Sequence, residues 1–133
     1  MVRSLGSPLV VLMVVWGLAG CRDSRAGSFF DREVQRVQSL AMLAGAQSMA
    51  RRGFEEKPSM LRQEWRGSTG MSWTSFISRT ARLLEPSYQC QQGTMMIATC
   101  SRHLPGDLLL LKMVAEPAPA GLGVRMFLEM HPD

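Results

Sequence analysis

The apolar residues of this chain change their spacing once, near Tyr88, and that change limits the fold more than any other feature. Upstream, apolar side chains recur every three to four residues, the spacing of a helix buried along one face. Phe30, Val34, Val37, Ala41 and Ala44 form one such stripe, widened by Leu40 and Leu43. Trp73, Phe76, Ile77, Thr80, Leu83 and Leu84 form a second. Downstream the spacing becomes two, or the apolar residues run together in short blocks, as they do in strands. Two helices followed by strands predict an α+β architecture.

Local signals place the ends of these elements. Ser28 reads as a helix N-cap, with Asp31 completing a capping-box pattern. Arg51-Arg52 ahead of Gly53-Phe54 fits a cationic, glycine-capped C-terminus, which predicts a first helix over 29–52. Its small residues Ala41, Ala44, Gly45, Ala46 and Ser48 suit close packing inside the domain, with a docking face for a partner as the competing reading. Glu55-Glu56-Lys57-Pro58 breaks the pattern, because Pro58 disfavours the helical state at Lys57. Residues 60–66 fit a short helix or a strand equally. Gly67-Ser68-Thr69-Gly70 reads as a loop; it has neither the lysine of a phosphate loop nor a Gly-x-Ser-x-Gly frame. Ser72 caps a second helix over 72–84, which Glu85-Pro86 ends. Trp73 and Phe76 on that helix pack inward or, if exposed, mark a partner-binding patch.

About three antiparallel strands should follow. Thr94 to Cys100 is β-prone, Leu108 to Val114 is a short apolar run, and Gly123 to Met130 alternates. In the last, Val124, Met126, Leu128 and Met130 oppose Arg125, Phe127 and Glu129. Leu104-Pro105-Gly106-Asp107 is a turn signal, and Glu116 to Gly121 reads as a stiff loop.

The N-terminus carries a different kind of signal. Met1-Val2-Arg3 is a short positive start, and Leu9 to Leu18 then runs without a charge. A spanning helix needs about 20 apolar residues, whereas the core of a signal peptide needs about 7 to 15. The run ends in Leu18-Ala19-Gly20-Cys21, followed at once by Arg22-Asp23-Ser24-Arg25. These residues resemble the bacterial lipoprotein signal, whose lipobox ends in an obligatory cysteine, and all four positions match. The resemblance implies recognition of Leu18, Ala19, Gly20 and Cys21 by the signal peptidase, cleavage between Gly20 and Cys21, and a diacylglyceryl group on the Cys21 sulfur. It divides the chain into a signal peptide (1–20), a lipidated tether (21–27) and a single periplasmic domain (28–133). Arg22, where aspartate signals retention in the inner membrane, implies the outer membrane, facing the periplasm. Each acyl chain adds about 0.8 kcal/mol per buried methylene, so two or three hold a protein on a bilayer without a spanning helix.

With Cys21 lipidated, Cys90 and Cys100 remain as an even pair. An oxidising periplasm makes a disulfide their expected state. Their spacing is not Cys-x-x-Cys and no histidine cluster lies beside them, which disfavours a redox or metal pair. A tight turn at Gln92-Gly93 would bring Cys90 near residue 95. Cys90 is therefore expected in a loop or a short edge strand, pinned to the strand that carries Cys100.

Composition narrows function mainly by exclusion. Fifteen Lys+Arg against eleven Asp+Glu give +4, and no basic stripe is interleaved with aromatics, so a nucleic-acid partner is not expected. His103 and His131 lack the acidic neighbours of a catalytic dyad. Glu55 and Glu56 are adjacent in a predicted loop and do not converge. Met95-Met96 is not a copper box, and the scattered methionines suit core packing. No enzyme activity, metal or cofactor is expected. The expected function is that of a non-catalytic, membrane-anchored lipoprotein. It would hold the membrane through acyl chains on Cys21 and bind another envelope protein as an accessory or assembly factor of a secretion, pilus or conjugation machine.

Two alternatives belong to other classes. Tyr88-Gln89-Cys90 followed by Gly93 resembles membrane-bound lysozyme inhibitors, which implies an inhibitor or immunity-type binder, although that family is all-β and two helices depart from it. A pocket between the second helix and the sheet would instead suit a carrier of a small ligand or lipid.

Overall fold

The computed structural model describes residues 27–94, 96–118 and 121–132. The chain divides into two compact units, Met1–Glu33 and Val34–Asp133. The described residues of the first, 27–33, are helical. Helix α1 covers 27–44, and its residues from Val34 onward belong to the second unit, which contains everything else described below.

Six strands follow: β1 (Ala46–Lys57), β2 (Met60–Thr69), β3 (Gln89–Thr94), β4 (Ile97–Leu104), β5 (Asp107–Ala118) and β6 (Gly121–Pro132). Helix α2 (Trp73–Leu84) separates β2 from β3. All pairings are antiparallel, and the order across the sheet is β1-β2-β6-β5-β4-β3. The chain lays down the hairpin β1-β2, crosses through α2 to the opposite edge, and returns by a meander that ends with β6 beside β2.

One face of the sheet is the core. Strand periodicity sends alternate side chains to opposite faces, and register aligns the apolar ones. Leu109 lies opposite Met130, Leu111 opposite Leu128, Met113 opposite Met126 and Ala115 opposite Val124. Trp65 continues this face from β2 beside Met126, and Ala98 and Cys100 continue it from β4. Leu109, Leu111, Met113, Met126 and Leu128 are fully buried. Burying each such side chain contributes about 1.5–3 kcal/mol. The α1 residues from Val34 onward lie over this face, where Gln38 reaches Trp65, and bury Val34, Val37, Ala41 and Ala44. Helix α2 buries Phe76 and Leu84 completely. Ser72 caps its start by accepting the Ser75 amide, and Glu85 ends it.

Several sequence expectations are overturned. The architecture is not two N-terminal helices over 29–52 and 72–84 followed by three strands, because the sheet has six. The first helix stops at residue 44, where Gly45 takes φ 127°, a conformation that side chains with a Cβ avoid. Residues 46–57 are an edge strand instead, so Arg51-Arg52-Gly53 is not a helix end. Its Gly53 lies opposite Glu64 of β2. Residue 27 is already helical, so Ser28 and Asp31 are not a cap. Small residues of the supposed helix divide between elements: Ala41 and Ala44 pack inside the domain, while Ala46 and Ser48 belong to β1.

Residues 60–66 resolve as strand. The supposed loop at Gly67–Thr69 is the end of β2, where a Cβ on Gly67 would stand 2.0 Å from the Ser48 carbonyl oxygen. Only glycine lets β1 and β2 approach so closely there. The stiff loop after Glu116 is a hairpin, with Pro117 opposite Leu122. The second helix, the Pro105-Gly106 turn and the alternation of β6 lie where the spacing predicts.

Candidate functional site

The opposite face of the sheet carries polar and charged residues. Spacing by two on β6 lines up Arg125, Phe127, Glu129 and His131, and spacing by two on β2 lines up Arg62, Glu64 and Arg66. Antiparallel register then sets Arg62 opposite Glu129, Glu64 opposite Phe127, and Arg66 opposite Arg125. Strand β5 adds Glu116, Lys112, Leu110 and Leu108 on the same face.

The centre of this arrangement is Phe127. The Arg62 guanidinium carbon lies 4.5 Å from the ring centroid and that of Arg125 lies 4.7 Å from it. Both are within cation–π range. Beneath these two guanidinium groups Phe127 is only 9% exposed. Each guanidinium is held by carboxylates. Arg125 Nε donates to Glu64 Oε1, and its Nη1 stands 3.8 Å from Glu116 Oε1. Arg62 Nε is 3.4 Å from Glu129 Oε2, close enough for an ion pair but not aligned as a hydrogen bond. Glu129 also meets His131 Nε2 at 3.0 Å through Oε1.

Isolated pairs at this exposure contribute about 0–1 kcal/mol each. The network matters more as a preorganised surface than as a stabiliser. It presents fixed guanidinium and carboxylate groups of both signs around a flat ring, next to the half-buried Leu108, Leu110 and Val114. Such a surface offers charge-assisted hydrogen bonds and apolar contact to a protein partner.

A shallow groove lies on the other side of the molecule, between α1 and β1, lined by Gln35, Gln38, Ser39, Met42, Leu43 and Arg51. Leu43 is 67% and Met42 43% exposed. Gln38 organises its floor: its amide nitrogen donates to the Met49 carbonyl, and its oxygen accepts from Arg51 Nε and Trp65 Nε1.

The residues singled out from sequence are not brought to one place. Leu18, Ala19, Gly20 and Cys21 lie outside the described residues. Cys90 and Cys100 form a disulfide, directly opposite each other on β3 and β4 with Cα atoms 4.0 Å apart. Cys90 is on a short edge strand, one of the two placements expected for it. Trp73 and Phe76 do not form an exposed partner patch; they are 8% and 0% exposed and pack with ring centroids 6.2 Å apart. Trp73 Nε1 is buried without an acceptor among the described residues.

His131 does have an acidic partner, Glu129, because residues two apart on a strand share a face. The Arg62–Glu64–Arg66 ladder is the part that sequence reasoning missed. Its signal was the alternation of charge in Leu61-Arg62-Gln63-Glu64-Trp65-Arg66, legible only once these residues are read as a strand. Among the described residues, no group of three or more His, Cys, Asp or Glu is placed to hold a metal ion. No helix among them is long and apolar enough to cross a membrane.

No family model, curated protein or solved structure matches the chain.

Proposed function

We propose that this protein is a lipid-anchored, non-catalytic component of the bacterial cell envelope that binds another envelope protein and assists the assembly of a larger machine, such as a secretion, pilus or conjugation apparatus. The observation that carries the reading is Leu18-Ala19-Gly20-Cys21, placed directly after an uncharged apolar run and before Arg22. Residues 1–20 act as the signal peptide, 21–27 as the tether, and the remainder as a periplasmic domain. Arg22 directs it to the outer membrane.

Two structural observations support the reading. The Cys90–Cys100 disulfide suits an oxidising compartment. The face of the sheet around Phe127 supplies the mixture of guanidinium, carboxylate and apolar surface that suits a protein partner. The test is a Cys21→Ser strain, fractionated into outer-membrane, inner-membrane and soluble pools. The protein should be lost from the outer-membrane pool, its uncleaved apolar segment leaving it in the inner membrane, and assembly of its machine should fail. Unchanged outer-membrane association, or normal assembly in that strain, would contradict the proposal.

A further inference from the structure

Strand β1 has a partner on one side only among the described residues, since it ends the strand order of the sheet. Ahead of its terminal Lys57, residues Arg51-Arg52-Gly53-Phe54-Glu55-Glu56 run from two cations to two anions. An antiparallel copy of the same segment therefore has the complementary order of charge. Complementary order is insufficient by itself, because opposed residues must also point to the same face of the sheet.

The bulge in β1 meets that requirement. Arg51 and Glu56 are five positions apart and would face opposite sides of a regular strand. The register shift between Arg51 and Gly53 removes Arg52 from the count. As a result Arg51, Phe54 and Glu56 lie opposite Trp65, Gln63 and Leu61 of β2, three residues of one face. Gly53 and Glu55 lie opposite Glu64 and Arg62, on the other. A two-fold axis through Phe54 then sets Phe54 against its own copy and Arg51 against Glu56 of that copy, twice by symmetry. On the other face it sets Gly53 against Glu55 of the copy. Phe54 is 55% exposed, and Gln38 steadies Arg51 through its Nε at 3.3 Å.

We infer that β1 is a self-recognition edge, where two copies of this chain pair antiparallel through Arg51, Phe54 and Glu56 and extend the two sheets into one. Such an interface is isologous and closes at two copies. It stands independently of the lipid anchor and of the open face around Phe127. A regular edge strand of this length invites indiscriminate pairing, and charges with a bulge normally block it. Here the same charges and bulge admit one register of one partner.

The test is sedimentation of the full-length chain in detergent micelles, over a dilution series, with charge-reversal variants. The unsubstituted chain should dimerise. Glu56→Arg and Arg51→Glu should each weaken the dimer about tenfold or more, as like charges come to oppose each other at both symmetric positions. The double variant R51E/E56R should recover the original affinity, a rescue that loss of folding cannot produce. A monomer at every concentration would overturn the inference, as would a dimer indifferent to Glu56→Arg or a double variant as weak as the singles.

Discussion

The carboxamide oxygen of Gln38 accepts the indole N–H of Trp65 at 3.2 Å, tying α1 to β2 through a residue that is fully buried. The same oxygen holds Arg51 Nε, and the amide nitrogen donates to the Met49 carbonyl. One side chain thus fixes α1, β2 and the edge strand β1 together. Replacing Gln38 by Leu preserves most of the volume but strands the Trp65 N–H in the core. Leaving a buried donor unpaired costs about 1–3 kcal/mol. Urea unfolding should show that loss, and pairing Q38L with Trp65→Phe should return part of it.

Trp73 presents the opposite case. Its Nε1 is buried with no acceptor among the described residues, so the N–H contributes nothing to set against its desolvation. Trp73→Phe should be close to neutral, its small loss of packing offset by removal of the orphan donor. Phe76→Ala, at a fully buried neighbour on the same helix, should cost about 3–5 kcal/mol. Thermal or urea unfolding of the two variants reads the contrast directly.

Gly67 sets the approach of β1 to β2. A Cβ there would meet the Ser48 carbonyl oxygen at 2.0 Å, and backbone cannot move aside as a flexible side chain can. Gly67→Ala should destabilise the protein by about 1–3 kcal/mol. Native-state hydrogen exchange should show the loss of protection concentrated in Ala46–Lys57 and its β2 partners, with β4 and β5 little changed.

The disulfide closes a short loop, with ten residues of sequence separation. The chain-entropy relation gives a loop of that size about 2–3 kcal/mol of stabilisation. The double substitution of Cys90 and Cys100 by Ala should lower unfolding stability by that amount. The β3–β4 hairpin should become the first segment cleaved in limited proteolysis.

Phe127 tests the open face. Phe127→Leu keeps an apolar side chain under the two guanidinium groups but removes both cation–π contacts, worth about 0.5–1 kcal/mol each at partly exposed sites. The expected loss is about 1–2 kcal/mol in urea unfolding. A Phe127→Leu protein as stable as the original would show that the ring serves only as apolar cover.

How much of this was legible in the sequence depends on burial, element by element. The stripes of α1 and α2 and the alternation of β6 are readable because each element buries one face against the core. Strand β1 is not, because beyond Ala46 and Met49 its residues are all exposed. A strand without a buried face has no hydrophobic period, and its Arg51-Arg52-Gly53 imitates a helix end. Losing β1 hid the hairpin, and β2 then lost the neighbour that would have identified it. The open-face network followed the same course. Arg125, Phe127 and Glu129 were visible on β6, but Arg62 and Glu64 reach them only through a pairing between strands about 60 residues apart, which no local pattern encodes. The Cys90–Cys100 pair was legible because it is a matter of parity and spacing rather than of packing.

Intact-mass analysis of the protein purified from solubilised membranes tests the central claim most directly. The account predicts a chain that begins at Cys21, has lost residues 1–20, and carries the mass of a diacylglyceryl group with or without a further acyl chain. It also predicts an unprocessed, unlipidated chain when Cys21 is replaced by Ser. A wild-type chain retaining Met1, or cut elsewhere with no lipid on Cys21, would contradict it.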